Sequence, residues 1–474
     1  MNVPLAVVPK ATQSGRRQIR NSGQVPTPVC GRREKRPLRF GIAAGYSNPT
    51  TALAALALMA WCWPAFADWP QFRGPTGQGI SHATDLSLRW SETENVAWKV
   101  PVPGQGYSSP VIGGSQIWMT TASDEGRSLR AICFDPGSGK LIHNVELVRR
   151  SNPGPVHSRN SHATPTPVWE DDRIYIHFGA AGTFCLDGRG RVVWKQDSLA
   201  YRQPYSGGSS PVLAGNLLIL TCDGTDVQFI AALDKRDGHV AWKTGRKHLE
   251  QTRLKVEKMT GKREGYALMA YSTPLVIEVN LKKQLVSTGA DCAAAYDVET
   301  GEEIWWCVYD GFSEVTRPVY SHGIVFLTAF ESQTTPVLYA IRPNARGEVT
   351  RSDLVWRIDR SVSHVPSPLL VRDELYFISD KGVASCVDAR SGKLHWRQRI
   401  GGNYSASLLL ADQRIYAFSE EGKTVVWKPG TRFRHLAENQ LDGRFMASPA
   451  VKEKALYLRS DTHLYRIEKK YFSD

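Results

Sequence analysis

The sequence comprises 474 residues with 42% hydrophobic and 10% aromatic content, which is sufficient for a large buried core. Its formal net charge of +13 is concentrated in residues 1–67, which hold nine Lys or Arg and one acidic residue. The rest of the chain holds 50 basic and 45 acidic residues, a net charge of only +5. The composition therefore gives no support to nucleic-acid binding.

Residues 1–67 have the pattern of an export leader. A basic region precedes an apolar run at 51–63, and residues 65–67 form an A-x-A cleavage site. The run is too short to span a bilayer, which takes about 20 residues, although an unremoved anchor is the alternative. Trp61 stands where lipoprotein processing requires a small residue before Cys62. We expect cleavage after Ala67 and a periplasmic or envelope protein without a transmembrane span.

Residues 68–94 form a tail that opens with the sequence DWPQFRGPTGQG. Its proline and glycine content excludes a helix, and Trp69 and Phe72 require an apolar surface to pack on. We expect this tail to dock on the domain that follows. The next segment, residues 95–100, alternates apolar and polar side chains around Trp98 and has the pattern of a strand.

From Ser109 to the C-terminus the chain repeats one unit eight times. Each copy begins with a Ser/Thr-Pro-apolar segment or a variant of it, and an apolar pair at period two follows. The anchors are Pro110, Pro167, Pro211, Pro274, Pro318, Pro368, Leu408 (in place of Pro) and Pro449. Repeats of forty to sixty residues that contain several strands are typical of a β-propeller.

The second half of the repeat has the frame small-x-Asp-x-x-x-Gly-x-x-x-Trp. The Asp caps a turn, the Gly takes a positive φ, and the Trp begins a strand that packs between blades. Its clearest members are Asp234, Gly238, Trp242, Asp297, Gly301, Trp305, Asp388, Gly392 and Trp396. This frame resembles the tryptophan-docking repeat of pyrroloquinoline-quinone (PQQ) type propellers, and segment 295–305 matches it at every defined position. The tail resembles the WPQFRGP opening of exported PQQ-like repeat proteins, many of them from planctomycete-type bacteria.

The sequence therefore predicts an all-β fold, a single eight-bladed propeller of four-stranded antiparallel blades over residues 95–474. The last copy lacks an outer strand, and residues 95–100 can supply it, so that strands from both termini close the ring. Cys133, Cys185 and Cys386 occupy one small buried position and are predicted packing residues. A disulfide among Cys222, Cys292 and Cys307 remains open.

The loops that enter the innermost strands of a propeller line the mouth of its channel. In this chain they contain polar and aromatic residues suited to an anionic, sugar-like or peptide ligand. The candidate ligand- or partner-binding residues are Tyr107, His157, Arg159, Asn160, His162, Tyr205, Tyr271, Arg317, His364 and Tyr404. Two insertions, residues 149–162 and 244–270, extend these loops, and 248–259 has the pattern of a short amphipathic helix that buries Leu249, Val256 and Met259.

The resemblance leaves two functions open. Quinoprotein dehydrogenases share the repeat and use PQQ with Ca²⁺ and an Asp base, but this chain lacks their adjacent Cys pair, and only Glu314 lies near the mouth segments. The propeller lipoprotein of outer-membrane protein assembly shares the repeat and binds no PQQ, but this chain lacks the lipid-attachment site. We expect a non-catalytic scaffold without metal or cofactor, monomeric or part of a larger envelope complex, that binds an envelope protein, peptide or glycan.

The leader assignment can be tested directly. N-terminal sequencing of the protein recovered from the cell envelope should give Asp-Trp-Pro-Gln, since the A-x-A site ends at Ala67. A cytoplasmic protein that retains residues 1–67 would contradict the assignment.

Overall fold

The apolar pairs of each repeat form short strands that assemble into eight antiparallel sheets, the blades of a propeller. The structure is a computed structural model that describes residues 68–331 and 335–470. The leader and its expected cleavage site lie outside these residues. Within them, no helix has the length and hydropathy that crossing a bilayer requires.

The first strand, β1 (Val96–Pro101), precedes blade 1. Blade 1 contains β2 (Val111–Gly113), β3 (Gln116–Ser123), β4 (Ser128–Phe134) and β5 (Leu141–Arg149). Blade 2 contains β6 (Val168–Glu170), β7 (Arg173–His177), β8 (Thr183–Asp187) and β9 (Val192–Gln196). Blade 3 contains β10 (Val212–Ala214), β11 (Leu217–Asp223), β12 (Gln228–Asp234) and β13 (Val240–Gly245). Blade 4 contains β14 (Leu275–Val279), β15 (Lys282–Thr288), β16 (Cys292–Asp297) and β17 (Glu303–Val308).

Blade 5 contains β18 (Val319–Ser321), β19 (Ile324–Glu331), β20 (Thr335–Ile341) and β22 (Leu354–Ile358). Between its last two strands, the short β21 (Gly347–Glu348) pairs in parallel with β17 and gives blade 4 a fifth strand. Blade 6 contains β23 (Leu369–Val371), β24 (Glu374–Ile378), β25 (Val383–Asp388) and β26 (Leu394–Arg399). Blade 7 contains β27 (Leu409–Ala411), β28 (Arg414–Phe418), β29 (Lys423–Lys428) and β30 (Arg434–Gln440). Blade 8 contains β31 (Ala450–Lys452), β32 (Ala455–Arg459) and β33 (His463–Ile467).

Blade 8 takes its outer strand from the other end of the chain. β1 pairs antiparallel with β33, with Val100 opposite Leu464, and the sheet order is β1-β33-β32-β31. The predicted eight-bladed fold and its closure by both termini are therefore confirmed, with β1 shifted by one residue from the predicted 95–100.

Tryptophans on the outer strands link neighbouring blades. The Trp194 Nε1–H donates to the Lys235 carbonyl on blade 3 at 3.0 Å, and Trp98, Trp242, Trp356 and Trp396 make the equivalent bond to the next blade. Gly238 lies under the Trp194 ring with φ +79°, where an added Cβ would meet the ring at 2.5 Å. Trp305 differs, because its Nε1–H donates to Gln284 within its own blade.

The tail crosses one end of the ring before it enters β1. Trp69 pairs with the innermost strand of blade 1, and the Trp90 N–H donates to Asn439 on blade 7 at 2.9 Å. Between them, the Arg73 Nη2 donates to the Pro368 carbonyl on blade 6 at 2.6 Å. Both Trp side chains are almost fully buried. The tail therefore ties blades 1, 6 and 7 together.

A circle of hydrogen bonds joins the starts of the innermost strands. In seven steps, the backbone N–H of the residue before an anchor donates to the hydroxyl of the equivalent residue in the next blade, at 2.9–3.1 Å. We call this set the hydroxyl belt; its members are Ser109, Thr166, Ser210, Thr273, Ser367, Ser407 and Ser448. Arg317 occupies the eighth position and interrupts the circle.

The second insertion forms the helix α1 (Glu250–Thr260), which ends at Gly261 with φ +70°. Leu249 and Val256 are buried as predicted. The prediction for Met259 is wrong, because its side chain is 84% exposed on the solvent face of α1. Three 3-10 turns, Asp124–Gly126, Gly179–Ala181 and Tyr266–Leu268, complete the described helical elements.

Ring closure can be tested by deleting residues 68–100. The deletion removes β1 together with the buried side chains of Trp69 and Trp90. Loss of one buried Trp side chain typically lowers the free energy of unfolding by about 3–5 kcal/mol. We therefore expect Tm to fall by about 10 °C or more. The matched control is Leu281→Ala, whose side chain is 92% exposed and whose Tm should not change. A truncated protein that melts like the full one would contradict the closure.

Candidate functional site

A cavity of about 370 Å³ lies on the propeller axis and is lined by residues from all eight blades. Its walls contain seven of the ten predicted site residues: Tyr107, His157, Arg159, Asn160, Tyr205, Tyr271 and His364. Most of the candidates from the sequence therefore lie on one concave surface. The volume falls within the usual range for small-ligand pockets, roughly 300–1,000 Å³.

The floor of the cavity combines the hydroxyl belt with one tail residue. All seven belt residues line the cavity, and Phe72 of the tail lines it as well. The belt residues are at most 6% exposed, so their side chains reach solvent only through the cavity. Because each belt oxygen accepts a backbone N–H from the neighbouring blade, the positions of these hydroxyls are fixed by the ring itself.

Aromatic rings from the two insertions and from the loop before Pro211 meet at the rim. Tyr205 and Tyr266 stack with centroids 5.0 Å apart and planes at 26°, and His157 lies edge-on to Tyr205 at 6.5 Å. Tyr266, in the second insertion, is 53% exposed. On the wall beside blades 5 and 6, Phe330 stacks on His364 with the ring centroids 4.0 Å apart.

Sequence reasoning did not select Tyr266, Phe312 or Phe330, all of which line the cavity. Tyr266 and Phe312 lie in the loops before Pro274 and Pro318, whereas Phe330 lies on β19. Position before an anchor was therefore a signal in the sequence for Tyr266 and Phe312, while Phe330 offered only its aromatic character.

The charge of Arg159 is paired inside the site. Its Nη2 donates to Asp380 Oδ2 at 2.6 Å, and Asp380 Oδ1 also accepts the backbone N–H groups of His364 (3.0 Å) and Val365 (3.1 Å). Asp380 lies in the turn between β24 and β25, and nothing in the sequence indicated it. Burial lowers the pKa of His364, so its ring is neutral at pH 7.

Three predicted site residues do not line the cavity: Tyr404, His162 and Arg317. Tyr404 is fully buried between blades 6 and 7. His162 contacts Arg150 Nη2 at 2.7 Å and Ser206 Oγ at 3.0 Å, and burial lowers its pKa.

Arg317 is 2% exposed and faces the tail. Its Nη1 donates to the Phe72 carbonyl at 2.7 Å and its Nε to the Pro274 carbonyl at 3.1 Å. The prediction that Arg317 lies at the channel mouth is therefore wrong. Its guanidinium group points away from the cavity because the carbonyl groups of Phe72 and Pro274 accept its hydrogen bonds.

The donor set does not fit PQQ with Ca²⁺. No carboxylate lines the cavity, and Glu314 is buried behind it, where both carboxylate oxygens accept the Phe330 N–H and burial raises its pKa well above the usual range. Among the described residues, no group of three or more His, Cys, Asp or Glu could hold a metal ion. Calcium requires several oxygen ligands, mostly carboxylates, which these walls do not supply.

The six cysteines of the described chain are buried and unpaired. The disulfide that the sequence left open is therefore not formed among Cys222, Cys292 and Cys307. Burial raises the pKa of the Cys185 and Cys386 thiols to about 12, which suits packing residues and not nucleophiles.

The importance of Asp380 can be measured by unfolding in urea. Asp380→Ala leaves two backbone N–H groups and Arg159 without their acceptor, and we expect a loss of about 1–3 kcal/mol in unfolding free energy. The control, Asp373→Ala, removes an exposed carboxylate from an ion pair with Arg390 (3.6 Å), worth about 0–1 kcal/mol. Equal losses for the two variants would contradict an organising role for Asp380.

Comparisons with solved structures reproduce the propeller at low sequence identity. BamB from Moraxella catarrhalis is 12% identical, with a TM-score of 0.52 over 78% of this chain and 99% of that one. A europium-containing methanol dehydrogenase is 10% identical, with a TM-score of 0.58 over 84% and 91%. A quinohemoprotein alcohol dehydrogenase from Comamonas testosteroni is 10% identical, with a TM-score of 0.60 over 90% and 85%. At this identity the likeness concerns the fold alone.

The curated proteins contain no match to this chain. A family model of PQQ-like repeats, described as outer membrane protein assembly factor BamB, matches residues 130–282 and 335–429. These segments make up more than half of the 474 residues and span the repeats from blade 1 to blade 7. The chain therefore belongs to the BamB-like family of PQQ-type β-propellers.

Proposed function

We propose that this protein is an exported, non-catalytic scaffold that binds a protein, peptide or glycan partner at the mouth of the axial cavity and its two inserted loops. One observation carries the proposal: the cavity has aromatic walls and a hydroxyl floor, and no carboxylate lines it. Such a surface can recognise a ligand by stacking and hydrogen bonding, but it lacks the groups for metal binding or carboxylate acid–base chemistry.

The rim supports recognition of a flat apolar group. The stacked Tyr205 and Tyr266 offer an exposed aromatic face beside the exposed His157. Tyrosine combines a large contact area with few rotatable bonds, which is why it is enriched at energetically important contacts. Either a sugar ring or an aromatic side chain can pack on such a face.

The family supports an envelope location and a protein partner. Its model is named for an outer membrane protein assembly factor, and residues 1–67 have the pattern of an export leader. We propose the periplasm or cell envelope as the location, with the protein acting as a monomer or as part of a larger complex.

The alternative is a PQQ- and calcium-dependent dehydrogenase acting on an alcohol or a sugar. The shared fold with two dehydrogenases favours it, but a fold hosts many functions, and function depends on the residues of the site. The missing carboxylate ligands weigh against it.

The binding proposal is tested with a Tyr205→Ala/Tyr266→Ala variant. Both side chains are at least partly exposed, so the variant should fold normally, which its Tm will verify. We expect quantitative capture of the partner from envelope extract to fall at least tenfold, since two adjacent aromatic anchors typically contribute about 2 kcal/mol or more.

The matched control is Ile142→Ala/Val193→Ala, which removes two similarly exposed apolar side chains from outer strands (42% and 44% exposed). It should capture as much partner as the unmodified protein. Equal capture by all three proteins would move the binding site away from the cavity, with α1 the next candidate.

The alternative is tested by adding PQQ and Ca²⁺ to the purified protein in a dye-linked alcohol oxidation assay. We expect no turnover, because the cavity walls carry no carboxylate to hold the cation or to accept the substrate proton. Turnover that depends on both additions would contradict the non-catalytic proposal.

A further inference from the structure

The hydroxyl belt has unused hydrogen-bond donors that face the cavity. Each belt oxygen accepts one backbone N–H, but none of the seven hydroxyls donates to a described protein group. A Ser or Thr hydroxyl carries one donor hydrogen besides its acceptor lone pairs. The side chains are more than nine-tenths buried and line the cavity, so their hydrogens are available only to a molecule inside it.

Three buried guanidinium groups lie next to this belt, although none of the three lines the cavity itself. Arg317 is the eighth belt position, Arg73 donates to the carbonyl of Pro368, directly after belt residue Ser367, and Arg459 donates to the carbonyl of Ser108, directly before Ser109. The three side chains are 1–2% exposed. None of them forms an ion pair with any residue that the structure describes.

Two of these guanidinium groups also have N–H donors that form no hydrogen bond within the described chain. The Arg73 Nε and Nη1 and the Arg459 Nε and Nη2 have no hydrogen-bond partner among the described residues. Burial lowers the pKa of each of the three arginines to about 9, and Arg317 adds to the effect at Arg73. All three therefore remain cationic at neutral pH, in a region where charges are poorly screened.

No described carboxylate forms an ion pair with any of these three arginines, and Asp380 is already paired with Arg159. No carboxylate lines the cavity, and Glu314, buried nearby, has a pKa raised well above its usual range. Burying a cation without a counter-charge is unfavourable. An anion at the cavity floor would offset that cost and accept hydrogen bonds from the belt.

We propose that the cavity floor binds an acidic group, a carboxylate or a phosphate, of an organic ligand whose apolar body packs against the aromatic walls. This inference names the ligand class for the proposed binding function and rests on the cavity being the binding site. The ring of O–H donors would hold the acidic group, the three guanidinium groups would supply the attractive field, and Tyr271, Phe312 and Phe330 would contact the body.

Three probes of one shape test the inference: naphthalene-2-carboxylate, 2-naphthyl phosphate and the neutral naphthalene-2-carboxamide. Calorimetric titration of the purified protein should give at least tenfold tighter binding for one of the anions than for the amide, a difference of about 1.4 kcal/mol. The tighter of the two anions identifies the acidic group.

Variants of the cavity floor test whether the belt and Arg317 cause the preference for an anion over the amide. Thr166→Val and Ser407→Ala each remove one belt hydroxyl, and Arg317→Ser removes a buried charge while placing a hydroxyl at the eighth belt position. We expect each to lower the anion-to-amide ratio at least threefold. The control, Lys243→Gln, removes one positive charge from an outer strand, where Lys243 lies over the Phe229 ring, and should leave the ratio unchanged.

Thermal melts accompany each titration, because Arg317→Ser also releases the Phe72 carbonyl of the tail. If Arg317→Ser has a lower Tm than the unmodified protein, the binding ratios of Thr166→Val and Ser407→Ala test the inference instead. Equal binding of the amide and both anions would overturn the inference while leaving the cavity a binding site. Failure of all three probes at millimolar concentration would overturn it as well, and the proposed function would then rest on the capture experiment alone.

Discussion

The pairing of β1 with β33 is the constraint on which the rest of the structure depends. Each blade packs its face on the next, so an eight-bladed ring is stable only when the eighth blade is complete and meets the first. One hydrophobic cluster spans this seam and includes Trp69 and Trp90 of the tail together with side chains of blades 1, 7 and 8. Closure and tail docking are therefore parts of a single interaction.

The closed ring fixes the site. The tail that precedes β1 crosses one end of the channel, and it places Phe72 at the cavity floor and Arg73 against blade 6. The one interruption of the hydroxyl belt, at Arg317, is also the point where the ring holds the tail through the Phe72 carbonyl. Floor, tail and ring thus form a rigid unit, which limits the ordering cost of binding a ligand.

The fold was predictable because its signals are local and repeated. Spacing, the Asp-turn and the following Trp specify strand, turn and blade contact within about forty residues, and eight copies reinforce one another. Trp305 shows what the repeat does not predict. Segment 295–305 matches the repeat at every defined position, yet the Trp305 Nε1–H donates to Gln284 within its own blade and not to the next blade. The next blade has Arg342 in place of the turn Asp, which only five of the eight copies have.

The site was predictable only in outline. Position before an anchor placed Tyr107, Tyr271 and His364 on the cavity wall, but it also selected Tyr404, which turns into the core. Asp380 comes from a turn in the middle of a blade, and its contact with Arg159 joins residues 221 positions apart. Such contacts depend on how blades face each other across the axis, and single-sequence patterns carry no signal for that.

The same fold occurs in BamB and in the two dehydrogenases compared above, so the chemistry of the cavity must distinguish between binding and catalysis. The central claim is that this cavity holds a ligand by aromatic walls and a donor-rich floor. A crystal structure with naphthalene-2-carboxylate tests it most directly. The account predicts the carboxylate oxygens within hydrogen-bond distance of belt hydroxyls and the ring system among the aromatic walls; a ligand outside the axial cavity, or with its carboxylate at the rim on Arg159, would contradict it.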